Sequence, residues 1–332
     1  MALVREEDAT RGSAEGAVDY LSSPFSPGAL PARRAVHLAR ASLELAPDPL
    51  ALPEQGGLAF GRYLIVRELG RGGYGRVYLA NDRRNADARV ALKVLVAPWN
   101  EREESRIRFI REAYTLASLA DPHVVRVFDG GTEGRWTYLA MEHVEGESLS
   151  ERVKARGPIG EGDVRALARG ILLALVSLER AGVVHRDIKP QNLILRANRI
   201  AAPVLIDFGL ARNPHDRGIT ERDVIVGTPA YMPPEAWRRE SVDNRSDLYN
   251  VGLTLRFALV AEEIYPALEG IELLRAVAAG PLPRPPVPLS QGFLSFLERL
   301  TDPEPLLRPQ TAARALEILG RLPLEQGRVT RR

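Results

Sequence analysis

The sequence predicts an α+β fold, on three observations. From Tyr63 the chain takes on strand-like alternation, and that texture continues through Arg76–Ala80 and the apolar run Val90–Leu95. Beyond Glu145 helical patterns take over, expected over Ser148 to Arg156 and over Glu161 to Ala181, the second long and apolar enough to be a core helix. Between these and the C-terminus, two acids are set close to short apolar runs. Asp187 lies in Val184-His185-Arg186-Asp187-Ile188-Lys189-Pro190-Gln191-Asn192, flanked by Val183-Val184 and Leu193-Ile194-Leu195, and reads as part of a loop between two short buried strands. Asp207 ends the run Val204-Leu205-Ile206 and is released by Phe208-Gly209.

At 332 residues the chain can hold one large two-part domain or two ordinary ones. A net charge of +2, with arginines spread along the chain, makes no demand for nucleic acid or an anionic membrane. No run of about eighteen apolar residues offers a membrane span. No apolar core marks a leader peptide, so a cytoplasmic location is expected. With no cysteine, disulfides, thiolate zinc sites and a cysteine nucleophile are excluded. The basic residues are almost all arginine; the only lysines are Lys93, Lys154 and Lys189. An ammonium and a guanidinium meet an oxyanion differently, so lysines retained in such a chain are candidates for chemistry.

Residues 1–60 differ in composition from the rest of the chain. Proline, serine and glycine clusters (Ser22–Gly28, Pro47–Pro53, Gly56-Gly57) read as linker, and Arg33 to Ala46 is a proline-free stretch with helical spacing. That stretch reads either as a regulatory or docking helix, or as a short segment packed on the neighbouring domain or partly disordered. Next, Gly70-Arg71-Gly72-Gly73-Tyr74-Gly75 is followed by a strand pattern rather than a helix. A dinucleotide-binding turn would open a helix there, so a hairpin whose glycines let backbone amides approach phosphates fits better. Lys93 sits in an apolar strand and needs an anionic partner. An amphipathic helix is expected from Glu101 to Leu119 and carries Glu112. Asp121–Asp129 and Trp136–Glu142 come next as turn, strand and hairpin partner, leading through Met141-Glu142-His143-Val144 to a polar loop. Two carboxylates and an amide (Asp187, Asp207, Asn192) gathered at one point would suit Mg²⁺.

The glycine loop, strand lysine, helix acid, His-Arg-Asp loop with Lys189 and Asn192, and Asp-Phe-Gly occur once each and in order. Over about residues 61–320 the sequence resembles the eukaryotic-like serine/threonine protein kinases of bacteria. That resemblance implies a bilobal fold: a small lobe (61–144) of antiparallel sheet with one main helix, a larger mostly helical lobe (145–320), and a short basic tail (321–332). It implies ATP and Mg²⁺, with Mn²⁺ as a substitute, and a protein substrate presenting serine or threonine. It allows a homodimer through the small lobe and calls for no nucleic acid or membrane partner.

Residue by residue, the resemblance assigns Asp187 to orienting the substrate hydroxyl and accepting its proton, and Lys189 to steadying the γ-phosphate. Lys93 would reach the α- and β-phosphates and pair with Glu112. Asn192 and Asp207 would be metal ligands. Gly70, Gly72, Gly75, Val77, Ala91, Met141, Glu142, Val144 and Ile194 would bind the nucleotide, with backbone groups of Glu142 and Val144 at the adenine. Thr228, in Gly227-Thr228-Pro229-Ala230-Tyr231, would dock substrate beside Asp187. Thr220 is the candidate for regulatory phosphorylation and Arg186 the cation that would receive an acidic or phosphorylated activation loop. Asp247 would hold the catalytic loop's backbone, and Glu235, in Pro233-Pro234-Glu235 where the family usually has Ala-Pro-Glu, would pair with Arg308. The alternative is a pseudokinase, a nucleotide-binding or scaffold module without catalysis; it is disfavoured because Lys93, Asp187, Asn192 and Asp207 are all present.

Overall fold

The computed structural model describes residues 2–3, 20–21, 55–72, 75–95, 103–134, 136–208, 229–238, 240–262, 272, 276–277 and 282–323. The helix expected within Arg33 to Ala46, Tyr74, Thr220 and Thr228 therefore lie outside the described residues, as does the side chain of Glu112. At the N-terminus two two-residue strands, Ala2–Leu3 and Tyr20–Leu21, pair in parallel.

A six-stranded sheet is built from β1 (Leu58–Ala59), β2 (Tyr63–Gly72), β3 (Gly75–Asp82), β4 (Ala88–Leu95), β5 (Val127–Glu133) and β6 (Trp136–Glu142), in the order β1-β2-β3-β4-β6-β5. The ladders from β1 through β4 to β6 are antiparallel. Short connections account for the neighbours β1 to β4 and for β5 beside β6, as antiparallel pairs allow, whereas β4 meets β6 across a long connection that carries a helix. β4 carries six consecutive buried residues from Val90 to Leu95, since it lies between β3 and β6 with both faces covered. The sheet begins at Leu58, inside the stretch expected to be linker. Gly56 donates its N–H to Ile65 O and Ile65 donates back to Gly57 O, both at 2.9 Å, so these two glycines belong to the sheet edge. Arg62 fastens that edge. Its guanidinium donates to both carboxylate oxygens of Asp82 at 2.7 Å and to Asp129 Oδ2, which also accepts from Tyr63 Oη at 2.9 Å.

One helix, α1 (Glu103–Ala117), buries Phe109, Ala113 and Leu116. It ends at Ala117, two residues before the Leu119 expected, and residues 101–102 lie outside the described residues. The chain then crosses from β6 into β7 (Gly146–Ser148), α2 (Leu149–Arg156) and α3 (Glu161–Arg180). Ser148 caps α2 in a reciprocal capping box with Glu151, which satisfies otherwise orphaned amide donors. α3 buries Val164, Leu167, Ile171, Leu172, Leu175 and Leu178, each worth roughly 1.5–3 kcal/mol on burial. A three-stranded antiparallel sheet is formed by β9 (Pro203–Leu205), β8 (Leu193–Arg196) and β7. Helices α4 (Pro234–Trp237), α5 (Asn244–Val260), α6 (Gln291–Leu300) and α7 (Ala312–Gly320) follow in the helical part. Residues 322–323 remain attached to it, because Arg165 on α3 donates to the carbonyls of Leu322 and Pro323 at 2.8 and 2.7 Å.

Val183 and Val184 form no strand, contrary to the expectation. The amides just beyond them are taken by a side chain instead: His185 N and Arg186 N donate to the two carboxylate oxygens of Asp247, at 2.7 and 2.8 Å. A β-branched pair reads as a strand locally, but a ladder needs a partner.

Candidate active site

On the six-stranded sheet, register alone assembles one wall. Val77 pairs with Lys93 and Lys93 with Leu139, while Leu79 pairs with Ala91 and Ala91 with Met141. Side chains two apart point to the same face, so Val77, Ala91, Lys93 and Met141 share it. Ala91, Met141 and Val144 are buried in a single apolar cluster, with Val77 and Ile194 packed against it. Gly70 and Gly75, on the two strands of the hairpin, differ. A Cβ on Gly75 would come within 2.3 Å of Val94 O, so only glycine lets β3 approach β4 there. A Cβ on Gly70 would meet nothing within 4 Å, which leaves that edge open.

Lys93 is 7% exposed and its ion pair is with Asp207. The expected partner was Glu112, which lies on α1 with its side chain outside the described residues. Asp207 has φ +58°, a left-handed conformation rare for a non-glycine residue, immediately after the strand β9 and Ile206. Arg186 adopts φ +64° in the same way. Two non-glycine residues held in that region flank the place where the site's carboxylates gather.

Asp187 lies in a loop tied from within. Asn192 Nδ2 donates to Asp187 O at 2.8 Å and to Asp187 Oδ2 at 2.9 Å, and Lys189 Nζ lies 3.0 Å from the same Oδ2. Pro190–Asn192 form one 3₁₀ turn, and Asn192 O accepts from Ile206 N at 3.0 Å, linking this loop to the Asp207 segment. His185, which has no assigned role in the sequence analysis, makes a second link. Asp187 N donates to His185 Nδ1 at 3.3 Å, so that nitrogen is an acceptor, and the opposite one, Nε2, is the donor toward Ile206 O at 3.2 Å. Its ring is fully buried and lies 4.6 Å from the ring of Phe208. The motif itself was the available signal; only the fold shows what the ring touches.

Beneath the site, the carboxyl groups are sealed in. Burial pushes Asp247 up to about 7, against the pull of the two backbone N–H groups that favour its ionised form. Arg308 Nη1 and Nη2 donate to Glu235 Oε1 and Oε2 at 2.7 and 2.8 Å, and Ser246 Oγ donates to Oε1 at 2.6 Å. Burial opposes ionisation of Glu235, but these bonds win and hold its carboxyl below the usual range. Arg308 also stacks over Tyr249 at 4.8 Å and donates to the carbonyls of Asp302 and Arg245.

For Glu142 the sequence reading concerns its backbone alone, and the structure adds a side-chain contact. Its side chain forms a two-pronged pair with Arg196 at the end of β8. Sequence spacing of 54 residues hides such a contact.

The protein kinase domain family matches residues 63–318. Serine/threonine-protein kinase PknD of Mycobacterium tuberculosis is 36% identical over 235 residues, covering 71% of this chain and 35% of that protein. The probable serine/threonine-protein kinase PkwA of Thermomonospora curvata is 33% identical over 275 residues, covering 83% and 35%. Serine/threonine-protein kinase pkn2 of Myxococcus xanthus is 35% identical over 285 residues, covering 83% and 33%. The chain thus spans about a third of the length of these curated relatives. Among solved structures, the kinase domain of Mycobacterium tuberculosis PknI is 25% identical with a TM-score of 0.61, covering 82% of this chain and 99% of that one. Rad53, solved with AMP-PNP, is 26% identical with a TM-score of 0.65, covering 77% and 64%. A small antiparallel sheet with one helix, set on a helical lobe and carrying two loop acids at their junction, is the bilobal α+β fold of these proteins, and this chain belongs to the protein kinase domain family.

Proposed function

We propose that this chain is an ATP-dependent serine/threonine protein kinase, moving the γ-phosphoryl group of ATP to a hydroxyl of a protein substrate and to its own. The observation that carries this reading is the pairing of each loop acid with a lysine. Asp187 is held by Asn192 and Lys189 within one loop, and Asp207 faces Lys93 across the cleft. A chain that uses lysine three times places two of them here.

The donor set fits a hard divalent cation. Asp207 offers carboxylate oxygens, and Asn192, whose amide nitrogen is committed to Asp187, offers its carbonyl oxygen. Among the described residues no cluster of three or more His, Cys, Asp or Glu could hold a metal unaided, so substrate phosphates would have to complete such a site. When bound, Mg²⁺–ATP supplies the transferable phosphoryl group and neutralises its charge. The protein's own part is positioning and electrostatics. Lys93 exchanges Asp207 for the α- and β-phosphates. Asp187, fixed by Asn192, orients the substrate hydroxyl and takes its proton, while Lys189 offsets negative charge on the phosphoryl oxygens. Gly70 and Gly72 line the open edge where backbone can approach phosphate, and Val77, Ala91, Met141, Val144 and Ile194 supply the apolar walls around the base. Thr228 and Thr220 keep their assignments as substrate-docking and regulatory residues, and Arg186 as the cation for the activation loop. We place the boundary between the lobes near residue 145, and the site in the cytoplasm.

Transfer of labelled phosphate from ATP with Mg²⁺, to the protein itself and to a generic basic protein, tests this. Wild type labels both, and Asp187→Asn and Lys93→Met label neither. A silent wild type that still binds ATP overturns the catalytic reading in favour of a nucleotide-binding module.

A further inference from the structure

The segment that joins the lobes is gripped at both ends by one residue. At its start, Glu142, the last residue of β6, gives both carboxylate oxygens to the guanidinium of Arg196, with Nη2 to Oε2 at 3.2 Å and Nη1 closer to Oε1. At its end, Gly146 pairs with the backbone of the same Arg196 in the β7–β8 ladder. Gly146 has φ +150°, and a Cβ there would come within 2.0 Å of Leu195 O, so only glycine permits that approach. Between them, Ala197 N donates to Glu145 O at 2.8 Å. Arg196 is itself held, its N–H donating to Ala202 O at 3.0 Å across the β8–β9 turn. Glu142 N donates to Arg126 O at 2.8 Å, so a pull on the Glu142 side chain is a pull on the end of the small-lobe sheet. The pair raises the guanidinium above its ordinary value, through its hydrogen bond to Glu142.

We propose that Arg196 is a positioning residue for nucleotide: it spans the crossing segment and fixes the Glu142 backbone at the edge of the base-binding pocket. It touches no reacting atom. Removing its side chain releases the Glu142 carboxylate while the backbone contacts of Glu145 and Gly146 stay, so the pocket edge and the lobe angle are set less sharply. Nucleotide affinity then falls more than turnover at saturation.

This inference rests on the kinase reading, so its test has one readout that needs no phosphate transfer. Affinity for Mg²⁺ with a non-hydrolysable ATP analogue is measured by titration, beside KM and kcat for ATP, for wild type, Arg196→Ala, Arg196→Lys and the exchange Glu142→Arg/Arg196→Glu. Thermal melts check folding of each. A two-pronged pair that is partly exposed predicts about a threefold to fivefold loss of affinity and rise in KM for Arg196→Ala, with kcat within about twofold. Arg196→Lys, which cannot engage both oxygens, falls between, and the exchange recovers most of the loss. Added salt weakens wild type toward Arg196→Ala. Arg156→Ala, which removes the neighbouring exposed pair with Glu147 on the same small sheet, changes nothing. Affinity equal in wild type and Arg196→Ala, or no recovery on exchange in a folded protein, overturns the proposal while leaving the kinase intact. Nucleotide binding that tracks the predicted series without any transfer supports it and removes the kinase reading. No nucleotide binding by wild type overturns both.

Discussion

The four acids around the junction of the lobes fall into two kinds. Glu235 and Asp247 are each 2% exposed, and their oxygens are met by donors the fold itself supplies: Arg308 and Ser246 for one, two backbone amides for the other. The side chains of Asp187 and Asp207 are 15% and 38% exposed and each faces a lysine. An arginine fork locks a carboxylate in one geometry, whereas a lysine is a mobile point charge that can leave for a phosphate. Under the proposed function, an acid that holds the fold is told from one that does chemistry by the exchangeability of its partner more than by its burial.

Substitutions can break that contrast. Arg308→Ala strands a buried carboxylate, and we expect it to cost about 3–5 kcal/mol of stability, read from urea midpoints. Asp187→Asn should do the reverse, lowering transfer about 10²–10⁴-fold with the melting temperature little changed. If both variants lost stability alike, the distinction would collapse.

The pH dependence sharpens it. Glu235 is held below its ordinary value of 4.5, so its contribution is present above that pH and lost as pH falls through the folded value. Asp247, raised from 3.8 to about 7, has the opposite sign. The folded state holds its proton more tightly, so its contribution to stability declines as pH rises from about 4 toward 7. Urea midpoints between about pH 3 and 8 should therefore show Glu235→Gln flattening the acid limb and Asp247→Asn flattening the slope below neutrality. The smallest expected effects come from the hairpin. Gly75→Ala must push against Val94 O and should destabilise by about 1–3 kcal/mol, while Gly70→Ala meets open space and should stay within about 0.5 kcal/mol.

Much of this was legible in the residues because the chemistry is dense and local. Asp187, Lys189 and Asn192 lie within six positions, and a single loop brings them together. The Glu235–Arg308 contact spans 73 residues, yet each half sits in a recognisable run. What escaped was set by tertiary contact. Val183-Val184 has strand composition but no strand partner, and the amides beyond it go to Asp247. Gly56 and Gly57 look like linker but bond to Ile65. The side chain of Glu142 reaches Arg196 and Arg62 reaches Asp82 and Asp129, contacts for which no spacing rule exists. The activation loop's threonines lie outside the described residues, so their assignments rest on sequence alone.

The scarcity of lysine has a further consequence once burial is known. Of three lysine amines, Lys154 is exposed on α2, while Lys93 and Lys189 are shielded around the cleft. Apart from the α-amine, an amine-directed reagent would meet little background on this protein. Acylation of Lys93 or Lys189, located by mass spectrometry, would report cleft occupancy directly, with Lys154 as the internal reference for reagent dose.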